Sequence, residues 1–161
     1  MDTTYDYTKS ELALCYDLIK KGNPTLPLLA NQLTFNLPRA VAPSQYEGRD
    51  TSIVANVQNS DKYRGSATYY YTRVPLRQLL AQCMSTPYIT VGRKATLVEN
   101  LPYINAALGV NLEAASVEDF ELAEKSVGTT AFTKVRVLAN PQSRVYTDGV
   151  SLYLKQNTAL S

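Results

Sequence analysis

Apolar residues recur along this chain at two spacings, helical and alternating, and the changes from one to the other divide it into elements. Leu12, Cys15, Tyr16 and Ile19 stand at i, i+3, i+4 and i+7, which puts them on one helical face. Thr8 and Glu11 precede them with the spacing of a capping box, and Lys20, Lys21, Gly22 and Pro24 follow with charges and breakers suited to a helix end. The same spacing in Leu76, Leu79, Leu80 and Cys83, after Pro75, predicts a second, short helix. A third stripe, Leu97, Leu101, Ile104 and Leu108, runs from a Thr96/Glu99 box to Gly109. Pro102 cannot donate an interior hydrogen bond, so this helix either kinks there or begins near it.

Residues 51–59, 65–74 and 133–139 are rich in Val, Thr and Tyr and bounded by turn residues, which predicts strands. In RVYTDGVSLYL the Asp148-Gly149 pair suits a type I′ hairpin, with Thr147 opposite Val150 and Val145 opposite Leu152. Arg144, Tyr146, Ser151 and Tyr153 would then share the other face. A turn at Asn140-Pro141 would join 133–139 to this hairpin as a three-stranded meander. The absence of regular βαβ alternation predicts an α+β fold: a single compact domain with two or three short helices on antiparallel sheet. A polar N-terminal arm, about 1–7, and a C-terminal tail, about 156–161, complete the expected organisation.

Composition narrows the chemistry. A chain of 161 residues with 45% hydrophobic content is expected to bury roughly 70% of its unfolded surface without staples. Histidine is absent, which removes the usual general base, His-dependent nucleophile systems and imidazole zinc sites. Cys15 and Cys83 are too far apart for a CxxC motif and read as buried free thiols. Glu113, Glu118, Asp119, Glu121 and Glu124 fit no calcium-loop spacing, and the alternation of Asp119 and Glu121 with Phe120 and Leu122 reads as a solvated strand face. No phosphate-binding glycine loop occurs, no pair of carboxylates is singled out, and no signal peptide or apolar run of ~20 residues is present. The expectation is a protein that is not an enzyme and has no cofactor, metal or membrane partner.

The remaining chemistry is aromatic and basic. On a strand, Tyr69, Tyr71 and Arg73 point to one side and Tyr70 to the other, with Arg64 nearby. Arg144, Tyr146, Tyr153 and Lys155 form a comparable set on the C-terminal hairpin. Tyrosine and arginine suit protein contacts, and they also suit single-stranded nucleic acid. A net charge of only +2 weighs toward protein, because nucleic-acid affinity depends on many phosphate contacts.

Three motifs carry a family resemblance. Gly48, Arg49, Asp50, Thr51 and Ser52 match a G-R-[DN]-T-[SA] strand entry. Residues 63–76 match Y-R-G-S-x-T-x-Y-Y-x-R-[VL]-x-L, and Thr96, Leu97, Leu101, Pro102, Ile104 and Asn105 match T-L-x-x-x-L-P-x-I-N. With these the chain resembles a little-characterised family of virion structural proteins of large tailed bacteriophages, over nearly its whole length. The resemblance implies an accessory component of head, neck or tail, assembled in the host cytoplasm into the virion and held by other virion proteins in many symmetric copies. It implies no catalytic residue.

Overall fold

The computed structural model describes residues 5–83, 88–157 and 159. Among the described residues three α-helices and nine strands form a mixed α+β domain, as the spacing predicts. The helices are α1 (Glu11–Gly22), α2 (Gln78–Cys83) and α3 (Leu101–Leu108). The strands are β1 (Leu33–Phe35), β2 (Arg39–Ala40), β3 (Thr51–Val57), β4 (Ser66–Tyr71), β5 (Val74–Pro75), β6 (Tyr88–Val91), β7 (Thr133–Leu138), β8 (Tyr146–Thr147) and β9 (Gly149–Gln156).

The N-terminal sheet centres on β3. It pairs with β4 along one edge and with β1 and β2 on the other, all antiparallel. The C-terminal sheet has the order β6-β9-β7, with β7 antiparallel and β6 parallel to β9. A two-stranded parallel ladder, β5 with β8, links the two halves through Val74 opposite Tyr146 and Pro75 opposite Thr147. The sheet structure is therefore antiparallel in most pairings but contains two parallel ones. These join segments distant in sequence, which local patterning does not show.

Helix α1 starts two residues later than the Thr8 box suggests. Ser10 is the cap, its Oγ accepting from Ala13 N at 3.2 Å, while Thr8 Oγ1 donates to Asp6. The buried stripe is Leu14, Cys15, Leu18 and Ile19, and Leu12 is 54% exposed. Both stripes fit helical spacing, and the choice falls on the one that brings Glu11 into the interior. In α3, Pro102 occupies the first turn, after a 3₁₀ turn at Val98–Asn100. The helix thus begins near the proline, where a missing N–H costs nothing. Leu97, Leu101, Ile104 and Leu108 are all buried, and Gly109 closes the helix at φ 70°. Pro75 belongs to β5, not to the start of α2.

The expected Asp148-Gly149 hairpin, and with it the three-stranded meander, does not form: β8 pairs with β5, and β9 pairs with β7 and β6. A type I′ turn needs positive φ at both central residues, and only Asp148 has it, at 60°. The chain instead leaves the β5–β8 ladder at Asp148 and enters β9 beside β7, with Leu138 opposite Gly149 and Val137 opposite Val150. Gly149 is needed for space. A Cβ there would lie 2.8 Å from both Leu138 Cδ2 and Val137 O and 3.0 Å from Arg136 Nε. Gly149→Ala is expected to cost about 1–3 kcal/mol of stability by overpacking, read from urea unfolding midpoints.

The core unites all three helices and both larger sheets. It includes Tyr71 and Tyr146, 1% and 0% exposed. Tyr71 Oη donates to Arg144 O at 2.7 Å, which allows a phenol to be buried without stranding its hydroxyl. Tyr7, placed in a polar arm by sequence, is also buried, and Tyr7 O accepts from Asn111 N at 2.9 Å. At the other end Gln156 is the last residue of β9.

Cys15 is a free, buried thiol, while the Cys83 side chain lies outside the described residues. Burial pushes the Cys15 pKa up to about 12, partly offset by its contact with Tyr71. Because thiolate is the reactive form, native protein at pH 8 is expected to resist iodoacetamide at Cys15. In denaturant the same thiol should be labelled, as peptide mass spectrometry would show.

Candidate functional site: the outer face of the C-terminal sheet

Alternation divides the β6-β9-β7 sheet into two chemically different faces. Ile89, Val91, Val135, Val137, Val150, Leu152 and Leu154 point inward and are buried. Tyr88 and Thr90 of β6, Ser151, Tyr153 and Lys155 of β9, and Lys134, Arg136 and Leu138 of β7 point outward. Tyr153 lies between Tyr88 and Lys134 in register, and Lys155 lies opposite Thr90. The ladder therefore fixes a patch of side chains separated by more than sixty positions in the chain.

The rings on this face touch one another. Tyr88 and Tyr153 stack with centroids 4.7 Å apart at 20°, and Tyr88 meets Phe132 at 5.4 Å and 84°. Lys155 Nζ sits 4.7 Å from the Phe132 centroid. Tyr88 is 55% exposed, Phe132 39% and Leu138 43%. Contacts of this kind contribute about 0.5–1.5 kcal/mol each beyond area burial and favour this arrangement of the rings. The strands contribute Lys134, Arg136 and Lys155 to the face and no carboxylate.

The residues singled out from sequence are dispersed. Tyr153 and Lys155 belong to this patch. Tyr71 and Tyr146 do not reach the surface at all, contrary to the strand faces drawn from sequence. Arg73 donates from its guanidinium to Pro141 O and Ser143 O at 3.2 and 3.1 Å. Arg144 donates to Asn36 O and Phe35 O at 3.1 and 3.0 Å. Arg73 thus holds the loop before β8, and Arg144 holds the end of β1 and the residue after it. Tyr69 is half-buried against the core, and Arg64 is exposed in the β3–β4 connection beside Gly65. Tyr70 stacks on Tyr46 at 4.5 Å.

Tyr88, Phe132, Lys134, Arg136 and Leu138 were missed. The signal for β6 was present in Tyr-Ile-Thr-Val, four residues of alternating strand formers before Gly92. So short a run acquires meaning only from its parallel partner. Elsewhere, a cleft of about 610 Å³ lies beside the end of α1. Its carboxylates are engaged, Asp50 with Thr51 Oγ1 and Arg73 N, and Asp148 with Arg77 at 3.2 Å. Among the described residues no cluster of acidic or cysteine side chains could hold a metal ion, and no helix is long and apolar enough to cross a membrane.

A family model described as a family of unknown function, DUF7941, matches residues 4–160. The chain belongs to this DUF7941 family. No curated protein and no solved structure matches it. The family match spans both sheets and all three helices, so the patch on β6, β7 and β9 lies wholly within the family unit.

Proposed function

We propose that this chain is an accessory structural component of a tailed-phage virion and that it joins other virion proteins through the outer face of its C-terminal sheet. The observation that carries the contact is that Tyr88 and Phe132, two exposed rings that touch, and Leu138, exposed at the far end of β7, lie on one side of one sheet. Grouped in this way around cations, such side chains form the kind of anchor that dominates protein interfaces. The virion reading rests on the resemblance of the 48–52, 63–76 and 96–105 motifs to virion proteins.

Single-stranded nucleic acid fits the patch less well. Base stacking requires free ring faces, but Tyr88 and Tyr153 cover one face of each other and Lys155 sits over Phe132. The proposal is tested by quantitative mass spectrometry of purified particles of the encoding phage. A constant copy number per particle is expected. Absence from particles in which the gene is expressed would overturn the reading.

A further inference from the structure

The outer sheet face is positively charged, and a second exposed surface of the same chain has the opposite sign. In residues 118–124, Glu118, Asp119, Glu121 and Glu124 are exposed while Leu122 is buried, as is Val117 just before them. This segment is built into the fold. Thr96 and Glu121 form a backbone bridge, Leu122 N donates to Ala95 O at 2.9 Å, and Asp119 Oδ1 accepts from Val98 N and Phe120 N, both at 2.9 Å. Its carboxylates are therefore presented on a fixed backbone, which reduces the entropy lost on docking.

Among the described residues, no ion pair joins this segment to Lys134, Arg136 or Lys155; the pairs formed are Lys9–Asp17, Arg49–Glu47 and Arg77–Asp148. Glu118 shares a shallow cleft with Arg136 but makes no ion pair with it. A chain of net charge +2 thus carries two ordered surfaces of opposite sign, the acidic one with a single cation, Lys125, at its end, and each is the electrostatic complement of the other. Resting on the reading of the sheet face as a protein-contact surface, we infer that its occupant is a second copy of this chain, whose acidic segment, residues 118–124, docks on Tyr88, Phe132, Lys134, Arg136 and Leu138.

Made reciprocally between two copies the contact closes an isologous dimer; made once, it is heterologous. Repetition of it closes a ring or extends a row according to the rotation between copies. Repetition adds avidity to each contact.

Sedimentation velocity on the purified full chain tests the inference. At low ionic strength, where screening extends over about 30 Å, the average mass is expected to rise with concentration and to return to the monomer value at high salt. Lys134→Glu with Arg136→Glu, and separately Glu121→Lys with Glu124→Lys, should each weaken association at least roughly tenfold, the scale of a lost interfacial charge pair. An equimolar mixture of the two variants should associate again, a rescue that damage to folding would not produce. Thermal melts identify any variant that fails to fold, and the single exchanges Arg136→Glu and Glu121→Lys then replace it in the mixing experiment.

A wild-type chain that stays monomeric at low salt overturns the inference, as does association indifferent to both charge reversals. Binding of an oligothymidine probe that Lys134→Glu/Arg136→Glu abolishes, with the protein itself monomeric, assigns the face to nucleic acid and overturns it too. A monomeric chain that is still found in particles sinks only the self-association and leaves the proposed function standing.

Discussion

Replacing Glu11 by alanine is expected to lower stability by about 3–5 kcal/mol, the scale set by three donors that lose a carboxylate acceptor at about 1–3 kcal/mol apiece. For a chain of this size that corresponds to a fall in Tm of roughly 10 °C. Glu11 is 5% exposed, and its carboxylate accepts from Ser116 Oγ at 2.5 Å, Ser143 Oγ at 2.9 Å and Arg144 N at 2.8 Å. One side chain at the start of α1 thereby fixes the loop before residue 117 and the loop that leads into β8. Ser143 Oγ in turn accepts from Tyr146 N at 2.9 Å, so the loss should propagate to the β5–β8 ladder. Truncation leaves two serine hydroxyls and a backbone N–H without their acceptor, and each unsatisfied buried group costs about 1–3 kcal/mol. Urea unfolding of wild type and Glu11→Ala is the measurement. A difference below about 1 kcal/mol, the size of an ordinary surface effect, would show that the three segments are held by other means.

The second large effect concerns assembly. Tyr88→Ala combined with Phe132→Ala should leave the chain folded, because both rings are exposed and their removal opens no interior cavity. Its incorporation into particles should nevertheless fall at least roughly tenfold, since an aromatic anchor in an interface is commonly worth more than 1.4 kcal/mol. Arg64→Ala, in the β3–β4 connection of the N-terminal sheet, serves as the comparison and should incorporate normally. Gel quantification of particles grown with each variant checks this. Normal incorporation of a folded Tyr88→Ala/Phe132→Ala chain would remove the C-terminal sheet face from the contact.

Local signals made much of the fold legible. The α3 stripe, the Pro102 start, Gly109 and the cores of β3, β4 and β7 follow from spacing and turn chemistry. The rotation of α1 was hidden because a glutamate on the buried face looks like a solvent residue until its partners at 116, 143 and 144 are brought to it. Tyr71 and Tyr146 were hidden for the same reason. A phenol reads as half-exposed unless the carbonyl or ring it meets is known, here Arg144 O for Tyr71 and the Tyr7 ring, 6.5 Å away, for Tyr146.

The site itself was less visible than the fold. Tyr153 and Lys155 could be named from the alternation of β9, but their neighbours come from β6 and from the residues around the start of β7. Parallel pairing of Tyr88 with Tyr153 joins segments that no turn connects, and nothing in either segment alone specifies it. The Asp148-Gly149 pair misled for a related reason. Its turn chemistry is genuine, with Asp148 at φ 60°, but tertiary pairing uses it to pass the chain from one sheet to another.

The most direct measurement is a particle reconstruction at a resolution that shows side chains. It should reveal this chain in repeated copies, with protein density from a neighbour seated over Tyr88, Phe132 and Tyr153. Copies whose outer β6-β9-β7 face is bare, with their neighbours attached elsewhere, would contradict the account.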